Sequence, residues 1–410
     1  MADGRTPMHT ASVDMTTTSC PACHGERTTP FHSIAATPVT CTSIFDSVAE
    51  ARAVPMGRVE LAVCESCGFV FNRSFDAARA ELGARYESSQ AASAHFGQFA
   101  RGLAAQWIER HRLQGKSVLE IGCGHGDFLH LMLGQGVAQV IGVDPLATEA
   151  PGQADPRLHI HAAAFDDDLL DLRADALVCR HTLEHIGPVH GFLGRVGQWA
   201  ARDPQRVVLF ELPDAHRVLA EGAFWDVYYE HCSYFTTDTL RSAFERAGLE
   251  VLRQELAYGG QYLLIEARAA RAAPVDAAAQ SAPRVRGLVE LCHRFGGEVQ
   301  RAVSCCDESL VRMAAMGRPI AVWQGAAKTV GFLAALKQAD LVHCAVDLSE
   351  QRHGRFLPGT GLAVHAPEQL KAIRPGHVIL MNPVYVDEVR ARLVDMGVDT
   401  ELCTIADLCG

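Results

Sequence analysis

From Val118 onward, short uninterrupted apolar runs alternate with stretches whose apolar positions recur at helical spacing. The run VLEI (118–121) is followed by the glycine-rich GCGHG. Then comes a segment with apolar residues at Phe128, Leu129, Leu131, Met132 and Leu133, one face of a helix. Further strands are predicted at 140–145 (VIGVDP), 176–180 (ALVCR), 207–213 (VVLFELP) and 262–268 (YLLIEAR), with helical text between them. Strand and helix in alternation predict a mostly parallel, doubly wound α/β sheet. Residues 268–284, rich in Ala, Arg and Pro, read as a linker or a loosely tethered helix lead-in. A second α/β unit follows, with strands predicted at 319–324, 341–347 and 377–382, too few and too short to enclose a large cavity alone. The pattern divides the chain into an N-terminal module (1–75), a Rossmann-like sheet domain (76–270) and a smaller C-terminal Rossmann-like lobe (271–410).

The chain has 410 residues, 48% hydrophobic and 21% charged, which is ordinary globular usage and excludes wholesale disorder or a coiled coil. Its 37 basic against 48 acidic residues leave a net charge of −11, and no run of Lys or Arg forms a phosphate-tracking stripe. Nucleic acid is not an expected partner. The N-terminal stretch lacks the apolar core of a signal peptide, and no segment approaches the roughly 18 apolar residues of a membrane span. A cytoplasmic location without a membrane partner is expected. The chain carries 14 cysteines, many for a disulfide framework in a reducing compartment, so the question is which of them hold a metal.

Cys20 and Cys23 form CPAC, Cys64 and Cys67 form CESC, and 40 residues separate the pairs. Each CxxC turn aims two thiolates at one tetrahedral ion, and Gly25 and Gly68 suit the tight turns such knuckles need. Four buried small hydrophobes, or a redox dithiol, are the alternatives. A zinc ion held by four thiolates would be structural, because no position remains open for water.

The strand end Glu120-Ile121-Gly122-Cys123-Gly124-His125-Gly126, with Asp144 at the tip of the next strand, reads as a nucleoside cradle. Glycines at 122, 124 and 126 let backbone approach a ligand closely, and Asp144 is placed to bind both hydroxyls of a ribose. The spacing is GxGxG, not the GxGxxG of the dinucleotide fingerprint, so S-adenosylmethionine fits better than NAD. His181-Thr182-Leu183-Glu184-His185 matches the H-x-x-E-H pattern of one metalloprotease group. Its place after a strand, on the carboxyl edge shared with Gly124 and Asp144, favours a cofactor-pocket wall formed by His181 and its neighbours.

The segment FWDVYYEHCSYFT (224–236) crowds Tyr228, Tyr229, His231 and Tyr234 around Glu230, more hydrogen-bonding and titratable groups than a plain core segment needs. Methyl transfer to carbon requires removal of a proton first, and His or an activated Tyr is the natural base. Aromatic packing against the sheet is the alternative for any one of these residues. Tyr86, in the polar stretch RYESSQ, is a further candidate.

In order along the chain, CxxC…CxxC, YESS, LEIGCGHG, RHTLEH, YYEHCSYF, GAAK and MNPVYVDEV make this sequence resemble the zinc-containing sugar C-methyltransferases. That family methylates nucleotide-linked keto-deoxysugars in antibiotic pathways. The resemblance implies a class I methyltransferase domain using S-adenosylmethionine between the zinc module and the C-terminal lobe, and a small-molecule acceptor, a nucleotide sugar. It also implies His231 as the base, assisted by Tyr228, with Tyr86 closing over cofactor and substrate. The C-terminal lobe would close the substrate cleft, where Lys328 meets a diphosphate or lies in a solvated loop. The sequence departs from the family between the cysteine pairs, where Thr37-Pro38-Val39 and Ser43 replace a PLAN-like element near the cleft. Two other readings are an oxygen or nitrogen methyltransferase for another natural-product acceptor, and a non-catalytic binding protein.

Overall fold

The computed structural model describes residues 19–80, 93–147, 155–271 and 278–409. Three sheets organise it. The central one has seven strands in the order Leu249–Ala257, Tyr262–Ala269, Val207–Pro213, Ala176–Arg180, Ser117–Ile121, Gln139–Val143 and Leu158–His161. The last five run parallel. Tyr262–Ala269 enters antiparallel beside Val207–Pro213, and Leu249–Ala257 pairs antiparallel with it at the edge. That edge strand escapes the sequence pattern. A register shift between Val251 and Arg253 breaks its period of two, and Leu252 and Leu256 are left exposed.

The inner parallel strands Ser117–Ile121, Ala176–Arg180 and Val207–Pro213 are buried on both faces, which is why they read as continuous apolar runs, whereas the edge strand Leu158–His161 has no buried residue and escapes the pattern. Helices Ala94–His111 and Asp127–Gly134 cover one face through Leu103, Trp107, Phe128 and Met132, and Val189–Ala201 and Thr237–Arg246 cover the other through Phe192, Trp199, Leu240 and Phe244.

Between the two cysteine pairs the chain forms an antiparallel hairpin of Thr28–Pro38 and Met56–Cys64 with the short helix Val48–Arg52 in its connection, which accounts for the long spacing. Val70–Asn72 adds a third strand, and the fourth, Ser233–Tyr234, comes from the distant aromatic segment. Cys20, Cys64 and Cys67 pack in one continuous core with Phe69, Phe71, Phe192, Phe235 and Phe244. The N-terminal module is thereby welded to the central domain.

The stretch read as a linker leads into Ala278–Ala314, a helix of 37 residues. Cys292, Phe295, Val299, Cys306 and Leu310 form its buried stripe, which seals the N-terminal hairpin to the C-terminal lobe. The lobe's own sheet has five parallel strands in the order Val364–His365, Val342–Val346, Ile320–Trp323, His377–Leu380 and Glu401–Thr404. Among the described residues no helix is long and apolar enough to cross a membrane.

Candidate active site

A cavity of about 1220 Å³ opens where the three parts meet. It is bordered by the glycine-rich turn, the 180–188 loop, the 226–234 segment and the carboxyl edge of the C-terminal sheet.

The turn is fixed by its backbone. Gly122 has φ +73°, and a Cβ there would lie 1.9 Å from Thr182 Oγ1, so no other residue fits. The Gly124 N–H donates to Asp144 Oδ2 (2.9 Å) and the Leu146 N–H to Asp144 Oδ1 (2.7 Å). A carboxylate has about four lone-pair directions, so Asp144 is locked in place and still able to accept from a ligand. Glu120 is buried at the cavity wall, and its Oε2 has no hydrogen-bond partner. Burial raises the Glu120 carboxyl to about 8, against the opposing charge of Arg180. Glu120, Gly122, Gly124, Gly126, Asp144 and His181 were the sequence's cofactor candidates; all but Gly126 border the cavity, and Gly126, at φ +83°, starts the helix behind it.

His181 sits in the left-handed region (φ +46°). Its Nε2 meets Glu211 Oε1 at 3.1 Å and its Nδ1 lies 3.5 Å from Glu184 Oε1. Burial works against the charged ring, but these two carboxylates prevail and hold it up at about 9. The H-x-x-E-H metalloprotease reading therefore fails. The motif needs two histidines on one helical face, whereas here the chain turns through a single 3₁₀ turn, Leu183–His185, and His181 is engaged by Glu211. A different trio converges instead: ligand-type atoms of Glu184, His185 and His231 all lie within 4.8 Å of one another. The His185 and His231 rings meet edge-on at 4.8 Å.

His231 is further packed against Tyr228, with ring centroids 4.7 Å apart. Burial, seconded by His185, lowers its imidazole to about 3, so it is neutral at ordinary pH. The Tyr228 hydroxyl donates to Asp226 Oδ1 (3.0 Å), and burial with that neighbouring carboxylate pushes its pKa far up. Asp226 also accepts from Arg217 (2.5 Å) and pairs with Lys328. Lys328 is thus not in a solvated loop, and it borders the cavity. It lies in the first turn of the helix Ala327–Ala335, with its ammonium committed to Asp226 across the lobe boundary.

Glu230 is held from the N-terminal module by the Cys41 N–H (2.9 Å) and the Thr42 hydroxyl (3.4 Å). In the segment that departs from the family pattern, Thr42 borders the cavity, while Thr37 and Ser43 are buried in the structure. Tyr229 faces away, with its hydroxyl accepting from the Asp76 N–H at 3.0 Å. Tyr86 lies outside the described residues. Sequence reasoning passed over Asp226 and Arg217 as partners of the site, and took Glu184 and His185 only as neighbours of His181 in the pocket wall. Asp226 stands two residues before Tyr228, a signal that was available.

The four N-terminal cysteines gather as one group with their sulfurs within 4.8 Å of one another. Cys20 and Cys67 sulfurs are 3.8 Å apart and those of Cys23 and Cys64 3.6 Å. A tetrahedral ion with Zn–S bonds of about 2.3 Å places its sulfurs roughly 3.8 Å apart, so the four residues fit zinc.

Residues 95–254 match the family described as Methyltransferase domain, and residues 268–400 match C-methyltransferase C-terminal domain. The C-methyltransferase NovU of Streptomyces niveus is 27% identical over 325 residues, 74% of this chain and 75% of that protein. A Ubiquinone biosynthesis O-methyltransferase of Burkholderia cenocepacia is 44% identical over 92 residues, 20% of this chain and 38% of its own length. Among solved structures, the magnesium protoporphyrin IX methyltransferase of Synechocystis PCC 6803 with bound SAH covers 43% of this chain and 84% of its own, at 16% identity and a TM-score of 0.33.

Proposed function

We propose that this chain, which belongs to the S-adenosylmethionine-dependent C-methyltransferases, methylates the carbon alpha to the ketone of a nucleotide-linked ketosugar through an enolate. The observation that carries this reading is the His231 ring on the wall of a cavity that also receives the glycine-rich turn and the C-terminal lobe, edge-on to His185 and Tyr228 and close to Glu184. A neutral ring has a lone pair ready for the alpha proton. Glu184, the nearest ionised carboxylate of the trio, favours the imidazolium that forms.

Tyr228 plays a different part. Its proton is committed to Asp226 and it stays a phenol, so it presents acceptor lone pairs and orients the acceptor rather than taking the alpha proton. Gly122, Gly124 and Asp144 would hold the nucleoside of S-adenosylmethionine, with Glu120 and His181 beside its amino-acid end. When bound, the cofactor supplies an electrophilic methyl group. The chain's contribution is to fix acceptor and base in line and to exclude water. The four cysteines would hold a structural zinc that anchors the N-terminal module, and through Cys41 and Thr42 that module braces Glu230 beside the base.

The test is solvent exchange. In deuterated water with S-adenosylhomocysteine bound, the wild type should wash deuterium into the carbon beside the ketone of the acceptor. Absence of exchange, together with a product bearing O–CH₃ or N–CH₃, would replace carbon methylation by transfer to oxygen or nitrogen.

A further inference from the structure

Glu184, His185 and His231 all border the central cavity, and one ligand-type atom from each lies within 4.8 Å of the other two. They come from two separate segments. The 3₁₀ turn Leu183–His185 that follows strand Ala176–Arg180 supplies the first two, and the segment leading into strand Ser233–Tyr234 supplies the third. The His185 and His231 rings meet edge-on, with centroids 4.8 Å apart. Glu184 is only 3% exposed; its Oε1 lies 3.5 Å from His181 Nδ1, while its Oε2 is buried without a hydrogen-bond partner. A buried carboxylate oxygen left bare is costly until a donor or a cation completes it.

Two imidazoles and one carboxylate are the donor set of an open transition-metal site, in which three protein ligands leave a fourth position for water or substrate. Bonds of roughly 2.0–2.2 Å from the ion to nitrogen and oxygen put tetrahedral ligand atoms about 3.4 Å apart. From the separations of up to 4.8 Å seen here, each pair closes on an ion by at most about 1.4 Å, the scale of side-chain rotation. His181, beside Oε1, orients the carboxylate as outer partners of metal ligands do. Imidazole favours Zn²⁺, Co²⁺, Ni²⁺ and Cu²⁺, whereas Mg²⁺ and Ca²⁺ take oxygen ligands. The trio thus differs from the four cysteines in kind. The cysteines surround an ion with four thiolates, whereas these three residues face open cavity.

We propose that Glu184, His185 and His231 form an inhibitory site for a divalent transition-metal ion of the zinc and cobalt type. The inference rests on His231 as the base proposed above. A neutral imidazole has one free lone pair, its other nitrogen carrying the N–H, so the ion and the alpha proton compete for the same atom. Scarce zinc fills the four thiolates, which close around it, and zinc in excess occupies the trio and stops proton removal.

The experiment starts from protein dialysed against a chelator too weak to strip four thiolates. Zn²⁺ or Co²⁺ is then added, bound metal is counted by elemental analysis, and deuterium exchange at the acceptor carbon is followed with S-adenosylhomocysteine bound. One additional ion per chain should bind, exchange should fall roughly tenfold or more as it does, and the weak chelator should restore it. Cobalt in this site should absorb in the visible without the thiolate charge-transfer bands of cobalt at the cysteines. His185→Gln and Glu184→Gln should each weaken the additional ion roughly tenfold or more, and each variant's exchange is compared with its own ion-free rate. His185 is half-buried, so its variant carries the test where Glu184→Gln fails to fold. No additional ion in wild type, an additional ion that both variants hold as tightly, or full exchange with the additional ion bound would each overturn the inhibitory site. Absence of exchange in the ion-free wild type removes the proposed carbon methylation and the inhibition with it, while the ion count in wild type and variants still decides the metal site.

Discussion

Replacing His231 by Asn keeps a polar side chain of smaller size and removes the ring nitrogen that would take the alpha proton. Loss of a positioned general base costs on the order of 10²–10⁴ in turnover, with cofactor affinity nearly intact. Its environment adds a second, independent signature. An ordinary histidine titrates near 6.5, whereas burial holds this one at about 3. The wild type should therefore show no acid limb near pH 6.5 in kcat/KM for the acceptor, since the imidazole is already neutral there. The sign on stability is the opposite of a paired histidine's. Between the two values the unfolded chain binds the proton and the folded chain does not, so stability falls as pH drops below about 6.5. From pH 6.5 to 5 this one group accounts for about 1.6 kcal/mol, the slope approaching about 1.36 kcal/mol per pH unit only below the unfolded value. Denaturant midpoints at pH 7, 6 and 5 should show His231→Asn losing correspondingly less stability on acidification. Deuterium exchange at full rate in the variant, or a wild-type acid limb near 6.5 that the variant abolishes, would refute this assignment.

Protein prepared without chelator should contain one zinc per chain, and Cys64→Ser should lower yield and Tm far more than turnover per folded molecule, because ion binding is coupled to folding of the module; elemental analysis finding no zinc removes this. Lys328→Met should cost about 1.5–3 kcal/mol, less than the 3–5 of a fully stranded buried charge, because Arg217 still partners Asp226. Thermal melting read beside kcat checks it, and an unchanged Tm refutes the ion pair's role. Glu120 is held at about 8 by burial, so pairing with a cationic cofactor group must displace a proton below that pH. S-adenosylmethionine affinity should then rise from pH 6 to 8, calorimetry in two buffers of different ionisation enthalpy should report proton release, and Glu120→Gln should abolish both; a flat wild-type profile separates Glu120 from the cofactor.

What the sequence made legible is what local chemistry encodes. Val118–Ile121 and Ala176–Arg180 are buried on both faces and so read as apolar runs, and the positive φ values at 122, 124 and 126 require glycines that stand out in any text. Contacts across long separations left no such trace. Lys328 reads as a loop lysine until helix Ala327–Ala335 brings it against Asp226, 102 residues earlier. Cys41 and Thr42 reveal nothing until the hairpin sets them on Glu230, 188 to 189 residues away. The same reasoning explains why the lobe's left-handed turn at Gln324, the first residue past strand Ile320–Trp323, stayed hidden. In the central domain the turn is written in glycine, whereas at Gln324 the same backbone position carries a side chain, so the conformation persists while its usual signal is gone. A non-glycine residue held at φ +99° persists only when its surroundings impose that conformation. Here strand Val342–Val346 fixes the Gln324 N–H on one side and the Lys328–Asp226 pair anchors the helix that follows. The ion pair that ties the lobe to Tyr228 therefore also steadies the turn at Gln324, so that loosening either should be felt at both.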